Sequence, residues 1–114
     1  MKRILILLLF ISFGVNAETL ITPTYEIEIG SCPEGYVTCD TIQFDVKELK
    51  ADIISAYTGG TLHTLCQDGV TPCRFLGYQF RGDIGHFYIL SDGNLEIDDQ
   101  SGQAILVEQG QWLD

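Results

Sequence analysis

His86-Phe87-Tyr88-Ile89-Leu90, Ser91-Asp92-Gly93-Asn94, Leu95-Glu96-Ile97 is the stretch whose reading decides the fold. Two short runs rich in aromatic and branched residues flank an Asp-Gly pair. Asp-Gly readily adopts the left-handed turn that joins right-twisted antiparallel strands. The stretch therefore reads as a β-hairpin, with strands at 86–90 and 95–97.

The same grammar extends in both directions. Downstream, a turn around Asp99-Gln100-Ser101-Gly102 leads into an apolar run from Ala104 to Val107. Upstream, Leu62 to Cys66 and Arg74 to Phe80 flank a turn from Gln67 to Pro72 and predict a second hairpin. Tyr25, Ile27 and Ile29 alternate with Glu26 and Glu28, as expected for a strand with one wet face. Val37 to Val46, rich in Thr, Ile, Phe and Val, reads as a further strand. Val46, Leu49, Ile53, Ile54 and Tyr57 fall at helical spacing, yet Ile53 to Thr58 also reads as a strand leading through Gly59-Gly60 to Leu62. The strand reading is preferred and the helix stays open as its alternative. The sum is an all-β domain, a small antiparallel barrel or sandwich of about seven to eight short strands.

Cys32, Cys39, Cys66 and Cys73 complete the frame. Four cysteines allow three pairings. Cys32 to Cys39 and Cys66 to Cys73 enclose loops of equal length, with Glu34-Gly35 in one and Asp68-Gly69 in the other. Such pairs form turns that bring flanking cysteines together, which favours 32–39 and 66–73. In the chain-entropy model each eight-residue loop adds about 2.5 kcal/mol. A zinc site uses cysteines two to four residues apart, and a redox site uses Cys-x-x-Cys; neither spacing occurs in this chain. Two structural disulfides are expected, with no cofactor and no metal.

Met1-Lys2-Arg3, an apolar run from Ile4 to Phe13 broken by Ser12, and small residues up to Ala17 make the three parts of a secretion signal. The run is shorter than the roughly 20 apolar residues that span a bilayer. The expectation is a signal peptide at 1–17, then one disulfide-stapled β domain at 18–114, soluble in the periplasm or secreted, with no membrane insertion after cleavage.

Removing Lys2 and Arg3 takes two positive charges away and moves the formal charge from −10 to −12, because all 16 acidic residues lie beyond the signal. A domain so acidic argues against nucleic acid, whose phosphates call for Lys and Arg, and against anionic lipid. It suits a basic protein partner, which such a field steers into contact. With 46% apolar residues the chain can build a core.

The residues offer little for catalysis. His63 and His86 sit in apparent strands without metal-type partners, and no Gly-x-Ser-x-Gly elbow is present. Paired cysteines leave no nucleophilic thiol. Asp98-Asp99 with Ser101 lacks the alternating oxygen ligands of a calcium loop and reads as a solvated turn. The carboxylates are numerous enough for a paired-acid hydrolase, but most alternate outward or sit in turns. The expectation is a binding protein, not an enzyme.

Aromatics gather between Phe75 and Tyr88; alternation sends Tyr78 and Phe80 to one face, and Phe87 and Tyr88 to opposite faces. Gly77-Tyr78-Gln79-Phe80, a glycine turn, His86-Phe87-Tyr88, a turn at Asp92-Gly93 and Asn94-Leu95-Glu96 resemble the C-terminal half of the membrane-bound and periplasmic C-type lysozyme inhibitors. The resemblance spans roughly 25 residues, a length that aromatic-rich meanders of other families share in part. It implies an eight-stranded antiparallel barrel that blocks a cationic hydrolase. Leu76 stands where that family has its inhibitory serine, and Asp92 where it has a basic residue. Cys66 to Phe80 is also similar to segments of small exported bacterial proteins without an assigned activity. Leu76, Gly77, Tyr78, Tyr88 and Asp92 are the candidate contact residues. Two functions are carried forward: an exported inhibitor or immunity-like module for a cationic protein, such as a lysozyme-type hydrolase or antibacterial toxin, and a structural envelope domain that binds an envelope protein or glycan.

Overall fold

A computed structural model describes residues 18–32 and 38–113. The expected signal peptide lies outside the described residues. Nine strands follow one another: β1 Glu18–Ile21, β2 Tyr25–Ile29, β3 Ile42–Glu48, β4 Ile53–Leu65, β5 Pro72–Arg81, β6 His86–Leu90, β7 Asn94–Asp98, β8 Ala104–Gln109 and β9 Gln111–Leu113. Each is antiparallel to its neighbours, in the spatial order β8-β7-β6-β5-β4-β3-β2-β1-β9. The meander curls into a nearly closed barrel.

Closure comes from one strand that changes partner. β8 pairs with β7, then Gly110 intervenes, and β9 pairs with β1. The Gly110 amide still reaches the Gly93 carbonyl at 2.8 Å. A β-carbon on Gly110 would stand 2.7 Å from the Ile21 carbonyl oxygen, so glycine alone lets the strands pass at this crossing. β8 and β9 therefore act as one staggered stave, and the barrel has eight. Staggered pairing of this kind is what closing a tilted sheet requires.

Alternation sends one face of every stave inward. Leu20, Ile27, Ile29, Ile42, Phe44, Phe80, Ile89, Leu95 and Ile97 are fully buried. Phe80 is the hub of the core. Its ring stacks on Phe87 at 4.6 Å and on Tyr57 at 5.2 Å, and meets Phe44 at 4.7 Å. Phe87 points inward while Tyr88 faces out, as alternation requires.

The hairpin at 86–97 forms with the Asp92-Gly93 turn, and Gly93 has φ 96°. The ambiguous segment is strand: β3 ends at Glu48, Leu49 to Asp52 make a tight turn, and β4 begins at Ile53. The helical spacing fails because β4 must pair with β3 along its whole length from Ile53 to Gly59, leaving Leu49, Ile53 and Ile54 exposed. The strand expected from Val37 to Val46 instead runs from Ile42 to Glu48, with Thr38 to Thr41 in a loop and Val37 outside the described residues. Both disulfides join the cysteines that the loop spacing favoured, 32–39 and 66–73. Such bonds form in an oxidising, extracytoplasmic type of environment.

Candidate functional site

The longest hairpin outgrows the barrel. β3 accompanies β4 only as far as Gly59, and β6 accompanies β5 only from Gly77 onward. His63 to Leu65 and Pro72 to Phe75 pair with each other alone, so this part of the hairpin stands clear as an arm. Register shifts beside His63 give it extra twist. The Cys66–Cys73 disulfide clamps its tip, and the Cys66 amide donates to the Thr71 carbonyl across the loop. Asp68 organises that loop by accepting hydrogen bonds from the amides of Val70 and Thr71 and from the Thr71 hydroxyl. Those bonds stabilise its carboxylate and lower its pKa to about 2. At the arm's root, the Thr61 amide donates to the Cys39 carbonyl, and the Cys39 amide to the Thr61 hydroxyl. Cys39 thus braces the root while the Cys66–Cys73 loop closes the tip.

The arm holds apolar side chains in water. Leu65 is 58% exposed, Val70 77% and Phe75 41%. Between Leu62 and Leu76 the charged residues are Asp68 and Arg74, so the arm has no net charge on a strongly acidic molecule.

A line of rings runs from the core onto the arm. Phe44 meets Tyr78 edge-on at 6.2 Å, Tyr78 meets Phe75 at 5.3 Å, and Phe75 meets His63 at 5.5 Å. Beneath the arm, Glu18, Phe75, Tyr78, Ser91, Trp112 and Leu113 surround a cavity of about 270 Å³ at one mouth of the barrel. Its polar groups are held in place. The Tyr78 hydroxyl donates to Glu18 Oε1 at 3.0 Å, and Trp112 Nε1 donates to the Ser91 carbonyl at 2.9 Å. Partial burial, with Glu18 alongside, pushes the Tyr78 phenol up to about 12.

Four of the residues singled out in the sequence come together here. Tyr78 lines the mouth. The Leu76 carbonyl accepts from the Ser91 amide at 2.8 Å and ties the arm's root to the β6–β7 turn. Asp92, in that turn, accepts from the Asn94 amide at 3.0 Å and from the Asn94 side chain. Gly77 lies between strands, where a β-carbon would stand 2.0 Å from the Ile89 carbonyl oxygen. Tyr88 lies elsewhere, on the outer wall between Gln79 and Glu96, with its ring 4.6 Å from His86. Sequence reasoning missed Glu18, Trp112, Leu65 and Val70. Val70 carried a readable signal, being a bulky apolar residue inside a stapled polar turn.

The remaining polar groups serve the sheet. His86 Nε2 lies 3.1 Å from Gln79 Oε1; burial, then Arg81, lowers its pKa against the opposing pull of Asp98. A hydrogen bond shared with Asp98 raises Glu96 on the same outer face. Asp99 caps its turn through the amides of Ser101 and Gln103 and the Ser101 hydroxyl. Among the described residues, no three His, Cys, Asp or Glu side chains are grouped so as to hold a metal ion.

The fold and site define a class: a disulfide-stapled antiparallel barrel with an apolar arm overhanging one mouth. No protein-family model, curated protein or solved structure matches the chain.

Proposed function

We propose that this protein is an exported, non-catalytic binding module of the periplasm or extracellular space whose partner is a cationic protein. The arm and the mouth beneath it make the contact. The observation that carries this reading is the division of charge: a neutral, apolar, disulfide-clamped arm projects from a body bearing all the surplus negative charge. Such a body draws in a basic protein and orients it, while exposed Leu65, Val70 and Phe75 supply desolvated contact. Clamping at tip and root lowers the entropy lost when the arm docks. A lysozyme-type hydrolase or an antibacterial toxin fits this description, which would make the protein an inhibitor or an immunity-like factor. The resemblance of residues 77–96 to C-type lysozyme inhibitors supports the first.

The test is to mix the oxidised protein with a panel of basic muramidases and read residual activity, with Val70→Ser and Phe75→Ser in parallel. Inhibition is expected to weaken steeply as salt rises and to fall by about tenfold in either variant. Failure to bind any basic protein at micromolar excess refutes the reading. A second reading, an envelope domain that binds glycan, rests on Tyr78 and Trp112 framing the mouth beside the Glu18 carboxylate. It requires binding of cell-wall glycan that hardly changes with salt.

A further inference from the structure

The opposite end of the barrel has a cavity of its own, about 220 Å³, bounded by the β3–β4 and β5–β6 turns. Its floor is aromatic: Tyr25, Tyr57 and Phe87 close the barrel there, Tyr25 meeting Phe87 edge-on at 5.8 Å. Two aliphatic residues form the lips and remain in water, Ile53 57% exposed and Ile84 53% exposed. Two carboxylates, Glu48 and Asp83, join Val46 and Ser55 to complete the lining.

Among the described residues, neither carboxylate is in an ion pair. Among the described residues the ion pair is Lys47 with Asp52 at 3.4 Å, and Lys50, in the adjacent turn, does not line the cavity. Glu108 adds a third negative group nearby, its carboxylate accepting from the amide and hydroxyl of Thr24. Its field and that of Glu48, after burial itself, raise the Tyr25 phenol. The cavity is thus apolar at the floor and sides, aromatic beneath, and negative at the rim.

One ligand chemistry matches all three properties. The carboxylates repel an anion, and a purely apolar group would leave them without a partner. A positive group on a flexible aliphatic stem uses everything: the stem lies between the isoleucines, the charge reaches the carboxylates, and the rings favour a cation nearby. The volume suits a single side chain and falls short of a drug-sized ligand. We infer that this end of the barrel is a socket for one lysine or arginine side chain presented by a polypeptide. It lies across the barrel from the arm, so it is a second contact that neither needs nor repeats the first.

The experiment titrates the isotope-labelled, oxidised protein with N-acetyl-lysine methylamide and N-acetyl-arginine methylamide, using N-acetyl-norleucine methylamide as the uncharged control. Saturable shifts are expected at Ile53, Ile84 and Phe87 with either cation, and none with the control. Glu48→Gln together with Asp83→Asn should weaken binding by about fivefold, and Asp83→Asn alone by less. Equal shifts with norleucine, shifts confined to the arm, absence of saturation, or an unchanged affinity in the double variant would each overturn the socket. The muramidase panel reads the arm independently, so either site can fail while the other stands.

Discussion

The barrel and the arm are made from the same kinds of residue but held together in different ways. In the barrel, every stave has two neighbours, and alternate side chains turn toward a core centred on Phe80. In the arm, two strands have only each other, and a disulfide replaces the missing core. An isolated two-stranded hairpin is marginal in water, so the clamp at 66–73 is what holds the arm in shape. The lesson is that apolar side chains stabilise where a sheet closes over them, and become available to a partner where it does not.

The sharpest way to break the contrast is to truncate one apolar side chain in each region. Phe80→Ala should cost about 3–5 kcal/mol by opening a cavity where four rings meet, whereas Val70→Ser should stay within about 0.5 kcal/mol. Chemical denaturation of both variants measures the difference, and equal losses would dissolve the distinction. Gly77→Ala tests the junction between the regions. Its β-carbon would collide with the Ile89 carbonyl, so a loss of about 3 kcal/mol is expected in the barrel's unfolding transition.

Replacing Cys66 and Cys73 together by Ser probes the arm alone. A staple integral to the core would take about 2.5 kcal/mol with it. Because this one clamps a self-paired hairpin, barrel stability should fall by less than about 1 kcal/mol, while amide exchange protection disappears between Leu62 and Leu76. The smallest effects come from pH, and the two regions respond at opposite extremes. Asp68 has its carboxyl lowered to about 2, so its support of the arm's tip is complete above the ordinary carboxylate range and is lost as pH falls through about 2. Tyr78 is raised to about 12, so its support of the mouth is complete below about pH 10 and is lost as pH rises through about 12. Amide shifts of Val70 and Thr71 in acid, and Tyr78 ring absorbance in base, report the two separately.

Much of the fold was legible because its cues are local. Asp92-Gly93 marks its own hairpin, and the matched cysteine loops mark their own bonds. The pairing of β1 with β9 was not legible, since strands of four and three residues leave no alternation to detect. Without that pairing, nothing in the sequence places Glu18 beside Tyr78 or Trp112 beside Ser91, and the mouth stays hidden. The arm was half visible: its hairpin could be read, but its projection depends on β4 being 13 residues long against a β3 of seven. Leu76, Gly77, Tyr78 and Asp92 were found near the mouth because the aromatic run and the two turns lie close in sequence. Tyr88 joined them by proximity in the chain, yet its place in the alternation faces it away.

The stave that changes partner at Gly110 has a further consequence, which concerns time. Its last residues, Gln111 to Leu113, pair with Thr19 to Ile21, so the ring is sealed by segments from opposite extremes of the domain. A contact spanning so much sequence forms late and slows the search for the native state. While the chain is synthesised from its N-terminus, the meander can assemble hairpin by hairpin but stays an open sheet. It cannot complete its circumference until residue 113 has emerged to meet Thr19.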